Sequence, residues 1–263
     1  MRHLAFSLSS ALLFCAPLLT QTPSHEKAFY LDVHQYSPSM EGHFQGLQDG
    51  KALNVDLKQD LSLDKDGSKL GFAAEYQGPR FGVEFAMDPQ TYRGAGYAQK
   101  DISIDGKHIL VGTHVNSNMK VTAYTFNWTI RFMQFQPVWV GVDLGARVWD
   151  VDLSVVTPPN PMTGIAVDTH QKFPLPIPQI GLSMGVTAFD DRLVGRGYCH
   201  LLTYKGANYT HLGADVRGFI LPWLGLRVFV DNESFDAPKG SLTDDLEANL
   251  DRNGAGFGVI VRF

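Results

Sequence analysis

The chain has 263 residues, a formal net charge of −5 and a sequence pI of about 6.0, so it lacks the basic surface that nucleic-acid binding requires. Hydrophobic residues make up 44% and charged residues 19% of the chain, which excludes an intrinsically disordered protein. Its only cysteines are Cys15 and Cys199, which excludes a disulfide framework and a zinc site of the CxxC kind.

The first segment predicts export. Arg2 precedes a mostly apolar stretch from Leu4 to Leu19, which is too short and too often interrupted by serine to span a membrane as a helix. The bulky Phe14 before Cys15 argues against a lipoprotein signal. We assign 1–24 to a signal peptide, with cleavage between residues 17 and 28, and 25–263 to one mature domain.

The rest of the chain is dominated by a two-residue period, which predicts β-strands with one apolar and one polar face. In 120–132, for example, Tyr124, Phe126 and Trp128 alternate with Thr125 and Asn127. The segments with this pattern are 29–34, 70–76, 80–87, 120–132, 138–148, 179–188, 209–220, 223–231 and 256–263. The pattern is weakest in 192–202. After position 149 the apolar positions change parity, which predicts a β-bulge.

The connections between these segments alternate strictly between short and long. Tight turns are predicted at 77–80, 132–137, 190–192 and 220–223, and longer loops at 46–68, 88–118, 156–177, 202–207 and 235–254. The loop at 156–177 is rich in proline and the one at 241–253 is acidic. Nine connections imply about ten antiparallel strands, or eight if 192–202 is not a strand. Such an asymmetry is typical of membrane β-barrels.

Alternation alone does not say which face of such a barrel lies inside. The face opposite the bulky apolar residues is rich in glycine, and the interior of a barrel of this size is only just filled by side chains, so the small face belongs inside. Arg147, Arg217 and Arg227 lie on that face, where they avoid the roughly 2–4 kcal/mol that an arginine facing lipid costs. We therefore predict an all-β fold, a closed antiparallel up-and-down transmembrane β-barrel.

These features resemble small Gram-negative outer-membrane β-barrel proteins. Stretches in that group are similar to 53–63 (LNVDLKQDLSL) and 142–152 (VDLGARVWDVD). The last strand resembles their C-terminal insertion signal, which the barrel-assembly machinery reads; its residues are Phe257, Val259, Val261 and Phe263. The resemblance implies a location in the bacterial cell outer membrane and contact with its lipids and lipopolysaccharide. It implies no particular activity.

Acidic and basic side chains are nearly balanced on the inward face. These positions hold Asp32, Glu75, Arg80, Glu84, Arg131, Asp143, Arg147, Asp215, Arg217, Arg227, Asp231 and Arg262. We interpret them as a salt-bridge network that fills a narrow lumen. The alternative is a charged constriction that selects solutes. His34 and His211 share the inward parity and are expected to join the same network.

The sequence predicts no catalytic, metal or cofactor site. Ser183 faces inward with no histidine near it in the chain, unlike the serine, histidine and acid of a lipid hydrolase. The segment 62–73 begins like an EF-hand loop but has Ala73 where a ligating glutamate is needed. We expect a non-enzymatic structural or surface barrel whose loops contact an external ligand. A narrow passive channel is the first alternative, and an outer-membrane lipid hydrolase is the second.

Overall fold

The computed structural model describes residues 27–48, 50–135, 137–159, 166–241 and 245–263, so the expected signal peptide lies outside the described residues. In these ranges no helix is long and apolar enough to cross a membrane. The strands are β1 (Ala28–Gln48), β2 (Lys51–Asp56), β3 (Asp64–Ser68), β4 (Leu70–Gln77), β5 (Phe81–Tyr97), β6 (Ile102–Ile104), β7 (Lys107–Ile109), β8 (His114–Phe135), β9 (Val138–Val156), β10 (Asp168–Ala188), β11 (Leu193–Tyr204), β12 (Ala207–Leu221), β13 (Leu224–Ala237) and β14 (Glu247–Arg262).

Ten of these strands close into one antiparallel barrel. The order around the ring is β1, β4, β5, β8, β9, β10, β11, β12, β13 and β14, and β14 pairs back with β1 from Tyr30↔Arg262 to Gln45↔Glu247. The prediction of ten strands is confirmed. The weakly patterned segment 192–202 forms β11, which pairs with β12 along its whole length and with β10 from Leu193 to Leu201.

The lower half of the barrel, near the tight turns, carries a belt of large apolar side chains on its outer surface. Phe126, Leu182, Leu226 and Phe257 are each at least 50% exposed. Because the opposite face of the same strands is buried and polar, these residues are placed to meet lipid rather than a protein core. The glycine-rich face lies inside, as the sequence predicts.

The strands continue far beyond this belt. β8 has 22 residues and β10 has 21, and above the belt their outward positions become polar, as at Lys120 and Lys172. The barrel wall therefore rises above the lipid. Two predicted loops, 88–118 and 156–177, are shorter than expected because their first and last residues extend these strands.

The predicted bulge after position 149 is wrong. The pairing of β9 with β8 and β10 is regular through Trp149, and Asp143, Trp149 and Val151 all point inward. The register shift in this part of the ring lies in β8, between Arg131 and Met133. The apolar parity changes because β9 leaves the lipid: above the belt the inward face is the dry one.

Three alternate prolines, Pro174, Pro176 and Pro178, lie within β10 rather than in the predicted loop. β10 pairs with β9 from Asp168↔Val156 onward but with β11 only from Ile180↔Leu201. Alternate residues of a strand direct their N–H groups to the same neighbour, so the three missing donors fall on the unpaired edge, where proline costs no ladder hydrogen bond.

The upper lumen is filled by an apolar plug. It contains Phe44 of β1, Trp149 of β9, Phe173 of β10 and Phe235 of β13, all at most 3% exposed. The rings of Phe44 and Phe173 touch with centroids 5.2 Å apart. β1 and β10 are five strands apart in either direction around the ring, so this contact crosses the full diameter of the barrel.

The strands β2, β6 and β7, which we call the lid, cross the mouth above this plug. β2 pairs with β1 and with β6, while the β6–β7 hairpin reaches β10, where the Thr169 hydroxyl donates to the carbonyl of Ile104. Lys51 donates to Asp105 at 2.6 Å, and this hydrogen bond lowers the pKa of the Asp105 carboxyl. The buried underside of the lid includes Ile104.

Candidate functional site

Below the plug, the lumen is filled by charged and hydrogen-bonding side chains from the ring of strands. Most of the predicted lumen residues lie here. Two lie instead at the tight-turn end: Arg80 is exposed in its turn, and Arg262 donates to the carbonyls of Pro222 and Asp191. Both are next to a turn, where the lumen opens and a side chain reaches backbone groups first. These two are corrections to the predicted network.

One chain of ion pairs links the strands on one side of the lumen. Arg227 bonds Asp32 at 2.6 Å and lies 3.6 Å from Asp215, and Arg217 bonds Asp215 at 2.7 Å. Arg217 also bonds Glu75 at 2.6 Å. Each of these carboxylates is thus compensated by arginine, which is the condition under which buried charge is tolerated.

The series of ion pairs continues toward the tight turns through Arg196. Its guanidinium lies 2.8 Å from Glu84 and 3.7 Å from Glu75. Arg131 lies lower still, stacked 4.4 Å above the centre of the inward-facing Trp139 ring. This ring is buried, and Trp139 has the same inward parity on β9 as Asp143.

A second cluster lies just under the plug. Glu233 accepts a hydrogen bond from Arg252 at 2.9 Å and forms an ion pair with Arg147 at 2.8 Å, with all three side chains at most 4% exposed. Tyr209 also donates to Glu233. Sequence reasoning missed Glu233 and Arg252 because both lie above the belt, in segments without the lipid-facing pattern. It missed Arg196 because its strand has the poorest alternation.

The histidines connect these clusters. His34 bonds Asp32 through Nδ1 at 3.1 Å and Asp88 through Nε2 at 2.6 Å. His211 faces His200 across β11 and β12, with their Nδ1 atoms 3.4 Å apart. His200 Nε2 is 2.9 Å from Asp143, and His211 Nε2 is 3.0 Å from Asp231.

Glycine is what allows partners on non-adjacent strands to meet. His34 of β1 and Asp88 of β5 form a hydrogen bond across the inner face of β4, directly over Gly71. A Cβ on Gly71 would lie 2.4 Å from His34 Nε2 and 2.8 Å from Asp88 Oδ1. No side chain fits there, because real Cβ contacts are not that short. The hydrogen bond therefore requires a glycine on the strand between its partners.

The same arrangement recurs around the lumen. Asp143 meets His200 over Gly181, Tyr198 meets Asp231 over Gly213, and Arg227 meets Asp32 over Gly258. The glycine-rich face thus does more than save space. It lets polar side chains cross an intervening strand and tie every second strand of the ring together.

The lumen also brings together residues that could suggest chemistry. Ser183 donates to Asp143 at 2.9 Å, and His200 bonds the other oxygen of that carboxylate. A hydrolase needs the histidine on the serine, whereas here both bond the acid, deep inside the barrel. His211, Asp231 and Glu233 have ligand atoms within 4.8 Å of one another, but the two arginines on Glu233 occupy the carboxylate that a cation would need.

Little free space remains between these side chains. The cavity bounded by His34, Arg147, Arg227 and Asp231 leaves about 40 Å³ open to water, and one nearer the tight turns, beside Arg131, about 10 Å³. Since one water needs roughly 10–15 Å³ on this measure, these two cavities have room for only a few waters.

The chain is similar to several solved structures. The barrel is similar to the outer membrane protease OmpT from Escherichia coli, with a TM-score of 0.58 and 9% identity over 93% of this chain and 99% of that one. The translocator domain of the autotransporter NalP from Neisseria meningitidis has a TM-score of 0.40 and 9% identity, and covers 90% of each chain. The attachment invasion locus protein Ail of Yersinia pestis has a TM-score of 0.29 and 13% identity over 90% of this chain and 97% of that one. No family model and no curated protein matches the chain.

The closed antiparallel ring, the outward apolar belt and the polar interior define a class. The chain has the fold of the bacterial outer-membrane β-barrel proteins. Within that class it is a ten-stranded barrel whose wall rises above the lipid and whose described lumen is filled by a charge network below and an apolar plug above.

Proposed function

We propose that this protein is a non-enzymatic structural or surface barrel with a closed lumen. The observation that carries the proposal is the double filling of its interior. The apolar plug crosses the full diameter at Phe44 and Phe173, and the lid lies over it. An ion moving through the barrel would have to leave water at this layer, and the transfer of an unpaired charge into an apolar medium costs many kcal/mol.

The charge network supports the same reading. A selective pore is lined by a ring of one sign, whereas here Arg217 and Arg227 are neutralised by Asp32, Glu75 and Asp215 at hydrogen-bond distance. Paired charges fix strands to one another and leave little field for a passing solute. A narrow passive channel remains the alternative function, and it requires that the lid and the plug move.

The outer end of the barrel is where an external ligand would be met. Tyr97, Leu110 and Val111 lie around the connection that carries the lid, and each is at least 59% exposed. Apolar residues that are this exposed at a loop tip favour contact with another molecule. We therefore place surface function on the long-loop end, and structural function on the belt and the lumen.

The test is single-channel conductance of the refolded mature protein in a planar bilayer. We expect no discrete openings. Membrane insertion is checked in the same preparation through Cys199, which lies on the outer face of β11 between Leu182 and Leu212: a fluorophore attached there should be quenched by nitroxide-labelled lipid. Stable openings from protein that passes this check would overturn the closed-lumen proposal in favour of the channel.

A matched variant makes silence informative. Deleting the lid hairpin, 101–111, and replacing Phe44 and Phe173 with alanine opens a gap in the apolar plug but leaves the belt and the ring of strands. We expect this variant to conduct, because water can then reach the polar network from above. A variant that inserts and stays silent would show that the remaining side chains of the interior still close the lumen.

A further inference from the structure

The histidine pair of the lumen contains more protons than two neutral rings supply. Three hydrogen bonds run in a row, from Asp143 to His200, from His200 to His211, and from His211 to Asp231. Each needs one proton between its two heavy atoms, which makes three. Two neutral imidazoles carry one proton each, so the row requires one proton more, wherever along the row it resides.

His34 leads to the same result independently. Its two ring nitrogens bond two different carboxylates, Asp32 and Asp88. A neutral ring can donate only one hydrogen bond, and an ionised carboxylate only accepts. The two bonds of His34 therefore require one proton in addition to the one that a neutral ring carries. His34, His200 and His211 are at most 3% exposed.

The charge of the lumen agrees with this count. Within the described residues the carboxylates that face the lumen are Asp32, Glu75, Glu84, Asp88, Asp143, Asp215, Asp231 and Glu233. The lumen arginines are Arg131, Arg147, Arg196, Arg217, Arg227 and Arg252. The carboxylates exceed the arginines by two. Two additional protons make the interior neutral, which a buried network needs.

We propose that the folded barrel binds two protons in its lumen, one on His34 and one shared by His200 and His211, at a pH where free histidine is neutral. The ligand of these two sites is the proton itself. The inference rests on hydrogen-bond geometry and charge balance, and it does not depend on whether the lumen conducts.

The surroundings of His34 favour this occupancy. His34 is faced by Asp32 on its own strand, by Asp88 from β5, and by the edge of Phe229 from β13. Arg227 lines the same cavity, and it is bonded to Asp32. Arg252 also interacts with Asp88, but its guanidinium is bonded to Glu233.

The histidine pair is faced by acids on three sides. Asp143 approaches from β9, and Asp231 and Glu233 approach from β13, with Glu233 4.0 Å from His211. Tyr198 stacks on His200 and donates to Asp231, and Tyr209 of β12 lies beside His211. Two arginines oppose protonation, but Arg147 is bonded to Glu233 and Arg196 to Glu84.

The test is the pH dependence of urea unfolding in lipid vesicles between about pH 7.5 and 8.5, where unfolded histidine is at least about nine-tenths neutral. Because stability changes with pH in proportion to the protons bound on folding, each proton lowers the folding equilibrium constant ten-fold per pH unit. We expect about a hundred-fold fall per pH unit for the natural chain. A fall of less than ten-fold would overturn the proposal.

Single substitutions separate the two sites. His34→Gln should reduce the dependence to about ten-fold per pH unit, and so should His200→Gln, because each removes one proton-binding site. His170→Gln is the matched control: its side chain is 59% exposed and bonds only the surface residue Asp152, so the hundred-fold dependence should remain. Equal slopes for the two lumen variants and the natural chain would refute the assignment.

A measurement on the unmodified protein covers the case in which the variants do not fold. Nitrogen-15 NMR of histidine-labelled protein at pH 8 distinguishes a ring with both nitrogens protonated from a neutral ring. We expect at least one doubly protonated histidine, assigned to His34, and a second signal broadened by exchange between two rings. A spectrum in which every histidine is neutral would overturn the proposal.

Discussion

Hydrogen bonds in the lumen pass over glycines of the intervening strands, and substitution of such a glycine tests how the lumen is held together. Gly71→Ala places a methyl group 2.4 Å from His34 Nε2 and 2.8 Å from Asp88 Oδ1, so the 2.6 Å bond between them must break or shift. Separating a buried, charge-assisted pair costs roughly 2–4 kcal/mol. Alanine returns about 0.4–1 kcal/mol by stiffening the unfolded chain, and a net loss of about 1–3.5 kcal/mol is expected.

The assay is urea unfolding of the refolded barrel in lipid vesicles, followed by tryptophan fluorescence. Gly218→Ala is the matched control, since a Cβ at that position meets nothing within 4 Å; its stability should stay within about 0.5–1 kcal/mol of the natural chain. A loss for Gly71→Ala no larger than that of the control would refute the reasoning.

A double-mutant cycle then tests the cause. His34→Asn shortens the side chain so that it no longer crosses β4, and Gly71→Ala should cost under about 0.5 kcal/mol in that background. If the alanine is equally costly with and without His34, the damage comes from the strand itself and not from the hydrogen bond above it.

Three further expectations concern the plug, the lid and the belt. Phe173→Ala should cost roughly 3–5 kcal/mol in urea unfolding, because it leaves a cavity in the middle of the plug; a cost below about 1 kcal/mol would mean that the plug is not close-packed. The Lys51 hydrogen bond lowers the pKa of Asp105, so its stabilisation of the lid is present above the ordinary carboxyl range near pH 4 and is lost as pH falls below it; hydrogen exchange of lid amides, corrected for intrinsic rates, should accelerate in acid for the natural chain but not for Asp105→Asn. Leu226→Arg, in the belt, should destabilise the inserted barrel by about 2–4 kcal/mol, whereas Ser234→Arg, above the belt on the same strand, should be nearly neutral; equal effects would place the lipid boundary elsewhere.

The ring of strands could be predicted from the sequence because its signal is local. A strand that faces lipid on one side and a polar lumen on the other alternates with period two over its whole length, as 120–132 does, and each tight turn is read from a few residues. The pattern fails where the environment reverses. Beyond Trp149 the outward face of β9 meets water and its inward face is dry. The predicted β-bulge at this point is therefore a change in the surroundings of the strand and not in its backbone.

The contacts of the lumen could not be predicted in the same way. Arg147 and Glu233 are on β9 and β13, four strands apart around the ring, and their meeting depends on the register of every strand between them. Parity assigns Arg147 to the inside, but not to a partner. Arg252 had no visible parity at all, because its outward neighbours on β14 lie above the lipid and are polar.

The contact between Phe44 and Phe173 also constrains the order of assembly. The two rings belong to strands on opposite sides of the barrel, and no chain of neighbouring strands can bring them together before the ring is nearly closed. The plug is therefore a late product of folding. Water leaves the upper lumen last, after the belt has entered the membrane and the strands have found their register, and an incompletely closed barrel would be marked by a wet interior.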